Sequence, residues 1–262
     1  MKIKMVIFDW AGTTVDYGCF APVDALRTAF SMYQIAVSEK AIREPMGMAK
    51  IDHIKAMLKM PDIARAFYDV YDRNPNGEDA RRIYDLYRVV IMQSLAQFST
   101  LTPYVQECVA WLREHDIVIG STTSYTDQMM EVVTAVAKQN GYEPDACFST
   151  DSSNGYGKPY PYMIFRNMEK LGVAEVRSVI KVGDTITDIR EGKNAGVYTV
   201  GVMEGSAEIG MSKEAYEALS ATEKQKRIAK AGKRYLCAGA DAVILNLSEL
   251  PGLIARLEAK AG

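Results

Sequence analysis

Met5-Val6-Ile7-Phe8-Asp9-Trp10-Ala11-Gly12-Thr13-Thr14 is the stretch on which the reading of this chain turns. Its apolar run, Met5 to Phe8, has the length and bounds of a buried strand. The run stops on a carboxylate, and small residues suited to a tight loop follow. In open α/β sheets, ligands bind just beyond the carboxyl ends of such strands. Asp9 therefore stands where such a fold does its chemistry, although an isolated aspartate after a strand is more often a turn or cap residue.

The flanking pattern predicts the architecture. From about Pro22 to Thr100 the apolar residues keep a helical period, as at Leu26, Ala29 and Phe30. Candidate helices run from Lys50 to Lys59, Asp62 to Tyr71 and Glu78 to Phe98, punctuated by Pro61 and the turn Asn74-Pro75-Asn76-Gly77. Beyond Pro103, strands at 117–120, 146–148, 179–182, 197–202 and 242–245 alternate with helices at 105–114, 126–140, 160–171, 188–195 and 248–259. A helical insertion spans about Lys213 to Gly232. Alternating β and α elements predict a parallel, doubly wound, Rossmann-like sheet with right-handed crossovers. The helical block after the first strand is expected to form an inserted cap domain (21–100) on a core of 1–20 and 101–262.

The chain has 262 residues, 48% hydrophobic and 24% charged, with a net charge of -2. These are ordinary values for a globular protein. They give no reason to expect a nucleic acid or an acidic membrane surface as partner. No apolar run is long enough to span a bilayer, and no signal-peptide layout precedes the first strand. The cysteines, Cys19, Cys108, Cys147 and Cys237, lack the spacing of a zinc site or a disulfide framework. The expectation is a reduced, cytoplasmic enzyme.

Three further stretches join the first. Thr122-Thr123 follows the apolar run Ile117-Val118-Ile119, Lys158 sits in Gly157-Lys158-Pro159, and Asp184 and Asp188 follow Val179 to Gly183. A carboxylate, a hydroxyl, a lysine and an acidic pair, in that order, resemble the four motifs of the haloacid dehalogenase superfamily. Phosphatases of that superfamily usually carry a second aspartate two residues after the first, where it protonates the leaving oxygen. Here that position is Ala11, and an ester leaving group needs such help. The segment Phe8 to Asp16, the segment Asp16 to Pro22, the segment Lys181 to Asp188 and the cap segment Arg43 to Ile54 are similar to the phosphonatase family.

That resemblance implies hydrolysis of the carbon–phosphorus bond of phosphonoacetaldehyde. Asp9 becomes the nucleophile that forms an aspartyl phosphate. Mg²⁺ becomes the cofactor, with Asp9, the backbone carbonyl of Ala11 and Asp184 as ligands, a hard oxygen set that suits this ion. Gly12 and Asp188 support the loop; Asp188 read alone is as readily a helix cap. Lys50 corresponds to the Schiff-base lysine, and His53, three residues on and hence on the same helical face, to a proton shuttle. Thr123 and Lys158 bind the phosphonate, and Cys19, Met46 and Tyr125 line the site. A homodimer is also implied. Two positions depart from the family pattern: Lys158 where arginine is usual, a point charge in place of a planar fork, and Ser124 where glycine is expected. Rival readings are a superfamily hydrolase acting on another carbonyl phosphonate or on a phosphate ester, and a non-catalytic binding protein on the same scaffold.

Overall fold

The computed structural model describes residues 2–259; Met1 and 260–262, the outer ends of the core segments expected from sequence, lie outside the described residues. Among the described residues six parallel strands form one sheet: β1 (Met5–Phe8), β2 (Val118–Thr123), β3 (Ala146–Ser149), β4 (Val179–Gly183), β5 (Tyr198–Val202) and β6 (Ala242–Ile244), in the spatial order β3-β2-β1-β4-β5-β6. Met5 pairs with Val118 on one side and Val179 on the other, so β1 is central. All four of its residues are buried. Alternate side chains point to opposite faces. Val6 and Phe8 join one apolar cluster with Val109 and Leu112, while Met5 and Ile7 join another with Ile164 and Met168. A parallel sheet covered on both faces reads as a continuous apolar run for this reason. The strand order reverses between β1 and β4, and the crevice at that reversal is where ligands of this architecture bind.

Helices α1 (Phe20–Met32), α2 (Glu39–Arg43), α3 (Lys50–Leu58), α4 (Pro61–Tyr71) and α5 (Gly77–Ser94) lie between β1 and β2. α5 packs along both α1 and α3. It buries Ala80, Ile83, Tyr87 and Ile91, the three-and-four spacing of a core-facing stripe. Two chain passages connect this block to the sheet, and they are tied together. Val15 bridges to Leu101, Thr102 N–H donates to the Thr14 carbonyl at 2.9 Å, and the Thr102 hydroxyl donates to the Thr13 carbonyl at 2.6 Å. The remaining helices, α6 (Val105–Glu114), α7 (Asp127–Gln139), α8 (Tyr162–Lys170), α9 (Ile186–Ala195), α10 (Lys213–Glu217), α11 (Ala221–Ala238) and α12 (Leu250–Ala259), follow the strands.

The departures from the sequence pattern have local causes. β2 runs on to Thr123, because Ser121 to Thr123 pair with Cys147 to Ser149 and threonine suits a pleated strand. α1 begins at Phe20, ahead of Pro22. The Asp16 carboxylate accepts the free N–H groups of Phe20 and Ala21 at 2.8 and 2.9 Å, and proline in a first turn has no N–H to satisfy. The insertion near Lys213 is two helices, because Ser220 and Glu223 form a capping box that starts α11 afresh. α2 is too short to leave a period in the sequence.

Candidate active site

Asp9 follows β1, and its N–H still donates to the Val182 carbonyl at 3.0 Å, which holds it at the edge of the crevice. The chain then turns tightly: the Trp10 carbonyl accepts the N–H groups of Thr13, Thr14 and Val15. Gly12 sits in the left-handed region at φ +84°, and a side chain there would collide with the Asp184 carboxylate. Asp184 lies just past β4. Its carboxylate accepts from the Thr13 hydroxyl at 3.1 Å and from Ala207 N–H at 2.8 Å. Asp188 is not the cap of α9; Thr185 is, and Asp188 answers it three residues on in a capping box. Its other oxygen meets Lys158 Nζ at 2.6 Å and Lys181 Nζ at 3.0 Å. Lys158 Nζ also lies 2.6 Å from Asp9. Carboxylate oxygens of Asp9, Asp184 and Asp188 all fall within 4.8 Å of one another.

Beneath this cluster lies a buried layer. Lys181 Nζ donates to the Thr122 hydroxyl at 2.7 Å and reaches Glu191 at 3.3 Å; the Thr122 hydroxyl donates to Glu191 at 3.1 Å. Four carboxyl groups thus face two paired ammonium groups. The electrostatics record the imbalance. Burial, then the neighbouring Asp188, pushes the Asp9 carboxyl up against the pull of Lys158. Burial and Asp9 push Asp184 up strongly. Burial opposes the charge on Asp188 too, but Lys158 and Lys181 outweigh it and hold the carboxyl below its usual range. The same pairing outweighs burial at Lys158 and keeps it protonated. The deficit is that of one divalent cation, and the donors are hard oxygens of the kind such an ion prefers.

A small cavity of about 30 Å³ separates the sheet edge from the helical block. Asp9, Ala11, Cys19, Met46, Lys50, Thr123 and Tyr125 line it, together with Pro22, Gly47, Ser124 and Thr185. Among the described residues Asp9 is the one carboxylate in that wall. Lys50 opens α3, after Ala49, and is 7% exposed. Burial drives its pKa down, with Cys19 and Asp9 opposing, so its amine is shifted toward the neutral form. Thr123 accepts Tyr125 N–H at 3.1 Å, leaving its hydroxyl proton for a ligand. The buried Tyr125 hydroxyl has no protein partner among the described residues. Cys19 holds a strained left-handed conformation, φ 55°, and burial pushes its thiol up.

The sequence-derived set therefore divides. Asp9, Ala11, Cys19, Met46, Lys50, Thr123 and Tyr125 meet at the cavity, with Lys158, Asp184, Asp188 and Gly12 behind Asp9. His53 is fully buried and outside the cavity wall. Its Nε2 bonds to the Ile42 carbonyl at 2.8 Å, its Nδ1 has no partner among the described residues, and burial with Lys50 nearby holds it neutral. Sequence reading missed Lys181 and Glu191. The signal was present: a lysine inside the apolar run of β4 must find a buried acid.

A family profile described as haloacid dehalogenase-like hydrolase matches residues 3–196. The chain is 46% identical over 254 residues to a phosphonoacetaldehyde hydrolase of Lysinibacillus sphaericus, covering 97% of this chain and 94% of that protein. It is 41% identical to one of Bacillus cytotoxicus over 258 residues, 98% and 97% of the two chains. A crystal structure of a phosphonoacetaldehyde hydrolase-like protein from Oleispira antarctica superposes with a TM-score of 0.96 at 35% identity, over 99% of this chain and 94% of that one.

Proposed function

This chain belongs to the haloacid dehalogenase-like hydrolases and, among them, to the phosphonoacetaldehyde hydrolases, and from that premise we propose that it cleaves the carbon–phosphorus bond of phosphonoacetaldehyde to acetaldehyde and phosphate through Lys50 and Asp9. One observation carries the reading: Lys50 and Asp9 line a single cavity in which Asp9 is the one carboxylate and Ala11 fills the usual general-acid position. An ester hydrolase would need an acid there; a carbon–phosphorus bond needs an electron sink.

Lys50 supplies the sink. Its neutral amine condenses with the aldehyde, taking up one proton and releasing water to form a protonated imine. The Asp9 carboxylate attacks phosphorus, and the electrons of the carbon–phosphorus bond move into the imine, giving an enamine. Water hydrolyses the aspartyl phosphate to phosphate and restores Asp9. The enamine takes up a proton, and hydrolysis of the resulting imine frees acetaldehyde and Lys50. Lys158 and Thr123 hold the phosphonate oxygens. Cys19, Met46 and Tyr125 shape the cavity. His53, three residues along α3 from Lys50 and with Nδ1 unpartnered among the described residues, would shuttle protons during imine formation. Asp188 holds Lys158 in place, and Gly12 lets Asp184 approach Asp9.

Asp9, the Ala11 carbonyl and Asp184 would hold Mg²⁺, which supplies positive charge where a carboxylate and a phosphonate must meet. The cavity as it stands has room for about two waters, and in this reading the helical block swings to admit substrate. We assign 21–100 to this mobile cap and 1–20 with 101–262 to the core, because the two passages between them run together at Val15 and Leu101. A cytoplasmic homodimer completes the reading. The exposed aromatic group Tyr156, Tyr160, Tyr162 and Phe165 offers apolar surface for a second copy, and light scattering tests it. Among the described residues no helix is long and apolar enough to cross a membrane.

Borohydride trapping with phosphonoacetaldehyde, followed by peptide mass spectrometry, tests the chemistry. The expected result is a reduced two-carbon adduct on Lys50 with acetaldehyde release by the untrapped enzyme. Lys50→Arg keeps the charge but cannot form the imine; turnover near the parent rate by that variant would overturn the mechanism.

A further inference from the structure

We propose that Ser124 is a positioning residue that seats Lys50 over Asp9 by latching the cap loop to the core. The loop joining α2 to α3 carries two consecutive carbonyls, those of Met46 and Gly47, onto the core surface. The Ser124 hydroxyl donates to the Gly47 carbonyl at 2.6 Å, and the Thr187 hydroxyl donates to the Met46 carbonyl at 3.0 Å. The two donors come from different core loops: Ser124 just past β2, Thr187 in the first turn of α9. A two-point attachment fixes the direction of the loop as well as its height. α3 starts three residues after Gly47, with Lys50 as its first residue. Gly47, at φ +88°, allows this approach, because a side chain there would run into the hydroxyls of Thr185 and Thr187. Ser124 itself lines the cavity, so the latch lies beside the reacting groups.

The two bonds differ in how they can be replaced. Thr187 Oγ1 also lies 2.9 Å from the Thr185 hydroxyl, and Thr185 is tied in turn to Asp188, so Thr187 belongs to the scaffold beneath the carboxylates. Ser124 has no other side-chain partner among the described residues. It is therefore the separable half of the latch. It can be deleted without unsettling Lys158 or Asp188, and its loss acts on the loop alone. A net hydrogen bond of ordinary strength shifts a two-state balance by about 2- to 13-fold, and the open cap should gain by that factor when the hydroxyl is removed.

The proposal rests on the catalytic reading for its consequence but not for its observation, and the test separates the two. Ser124→Ala, Ser124→Gly and Ser124→Thr are compared by amide hydrogen exchange of the ligand-free protein and by steady-state kinetics. The expected result for Ala and Gly is faster exchange over 46–50 by about 2- to 13-fold, with β1 and α5 unchanged. A matching fall in kcat/KM and slower borohydride trapping at Lys50 should accompany it. Threonine, which keeps a hydroxyl, should restore both. Unchanged exchange over 46–50 in Ser124→Ala overturns the latch, whatever the activity. Faster exchange with no phosphonoacetaldehyde cleavage by any variant, parent included, upholds the latch and overturns the substrate.

Discussion

Asp79 in the helical block and Asp9 with Asp184 at the sheet edge are all buried acids, and they are solved in opposite ways. Asp79, 1% exposed, accepts from the Tyr33 hydroxyl at 2.9 Å, from two Arg73 nitrogens at 2.7 Å each and from Asn76 N–H at 2.8 Å. The Arg73 bonds, against the cost of burial, hold its carboxyl down at about 2. Asp9 and Asp184 are as well hidden, yet burial and a neighbouring carboxylate, Asp188 for Asp9 and Asp9 for Asp184, push them up. Burial alone does not decide the state of an acid; the donors that arrive with it do. A carboxylate with its donors in place is architecture. A cluster short of positive charge is a binding site.

Breaking each acid in turn gives the largest expected effect. Asp9→Asn should lower kcat by at least about 10⁴-fold, the scale seen when a nucleophile is removed. It should also leave Tm unchanged or raised, because it relieves a crowded charge. Asp79→Asn should leave kcat within about threefold and lower Tm by several degrees, as about 1.5–3 kcal/mol of charged hydrogen bonding is lost. Similar Tm losses in both variants, read by calorimetry, would erase the contrast.

Chelation sharpens it next. Stripping divalent cations should lower activity by at least about 100-fold, a few kcal/mol of charge stabilisation, and Mg²⁺ should restore it. Mg²⁺ should also raise the Tm of the parent and of Asp79→Asn alike, by mass action on the folded state. No Mg²⁺-dependent Tm shift in the parent would refute the carboxylate cluster as a cation site.

A pH profile follows. Burial lowers the pKa of Lys50 from 10.5, and in the proposed mechanism the amine attacks only when neutral. The rate under kcat/KM conditions should therefore rise with pH, about tenfold per unit on the acidic limb, and level off below the ordinary lysine value. A limb that continues up to 10.5 would show that Lys50 is not perturbed. The smallest effect lies at the acid end. The folded pKa of Asp79 is depressed, so its contribution is present above 3.8 and is lost as pH falls toward about 2. Urea titrations across that range should show a steeper loss for the parent than for Asp79→Asn.

Much of this was legible in the sequence because the groups sit at element ends. Asp9, Thr123 and Asp184 lie at or just past strand ends, and it was their order along the chain, matched to the superfamily's motifs, that marked them. Lys50 and its cap segment were legible through resemblance, since a lone helical lysine carries no signal of its own. Lys181 and Glu191 were missed because each looks like an ordinary residue of its element, and only the fold brings β4 and α9 together at Thr122. Ser124 stood out only as a departure in its stretch. Its partner, the Gly47 carbonyl, is backbone, and backbone leaves no trace in a pattern of side chains.

The central place of β1 also sets an order on folding. Its partners β2 and β4 lie more than a hundred residues downstream, and such closures are slow. Each doubling of the loop adds only about 0.6 kcal/mol of entropy cost, so the helical insertion burdens the final state lightly and the kinetics more. A chain emerging from synthesis holds β1 exposed until β4 arrives. The strand that carries the proposed nucleophile is thus made first yet stays open on one side until β4 follows it, and no competent site exists before then.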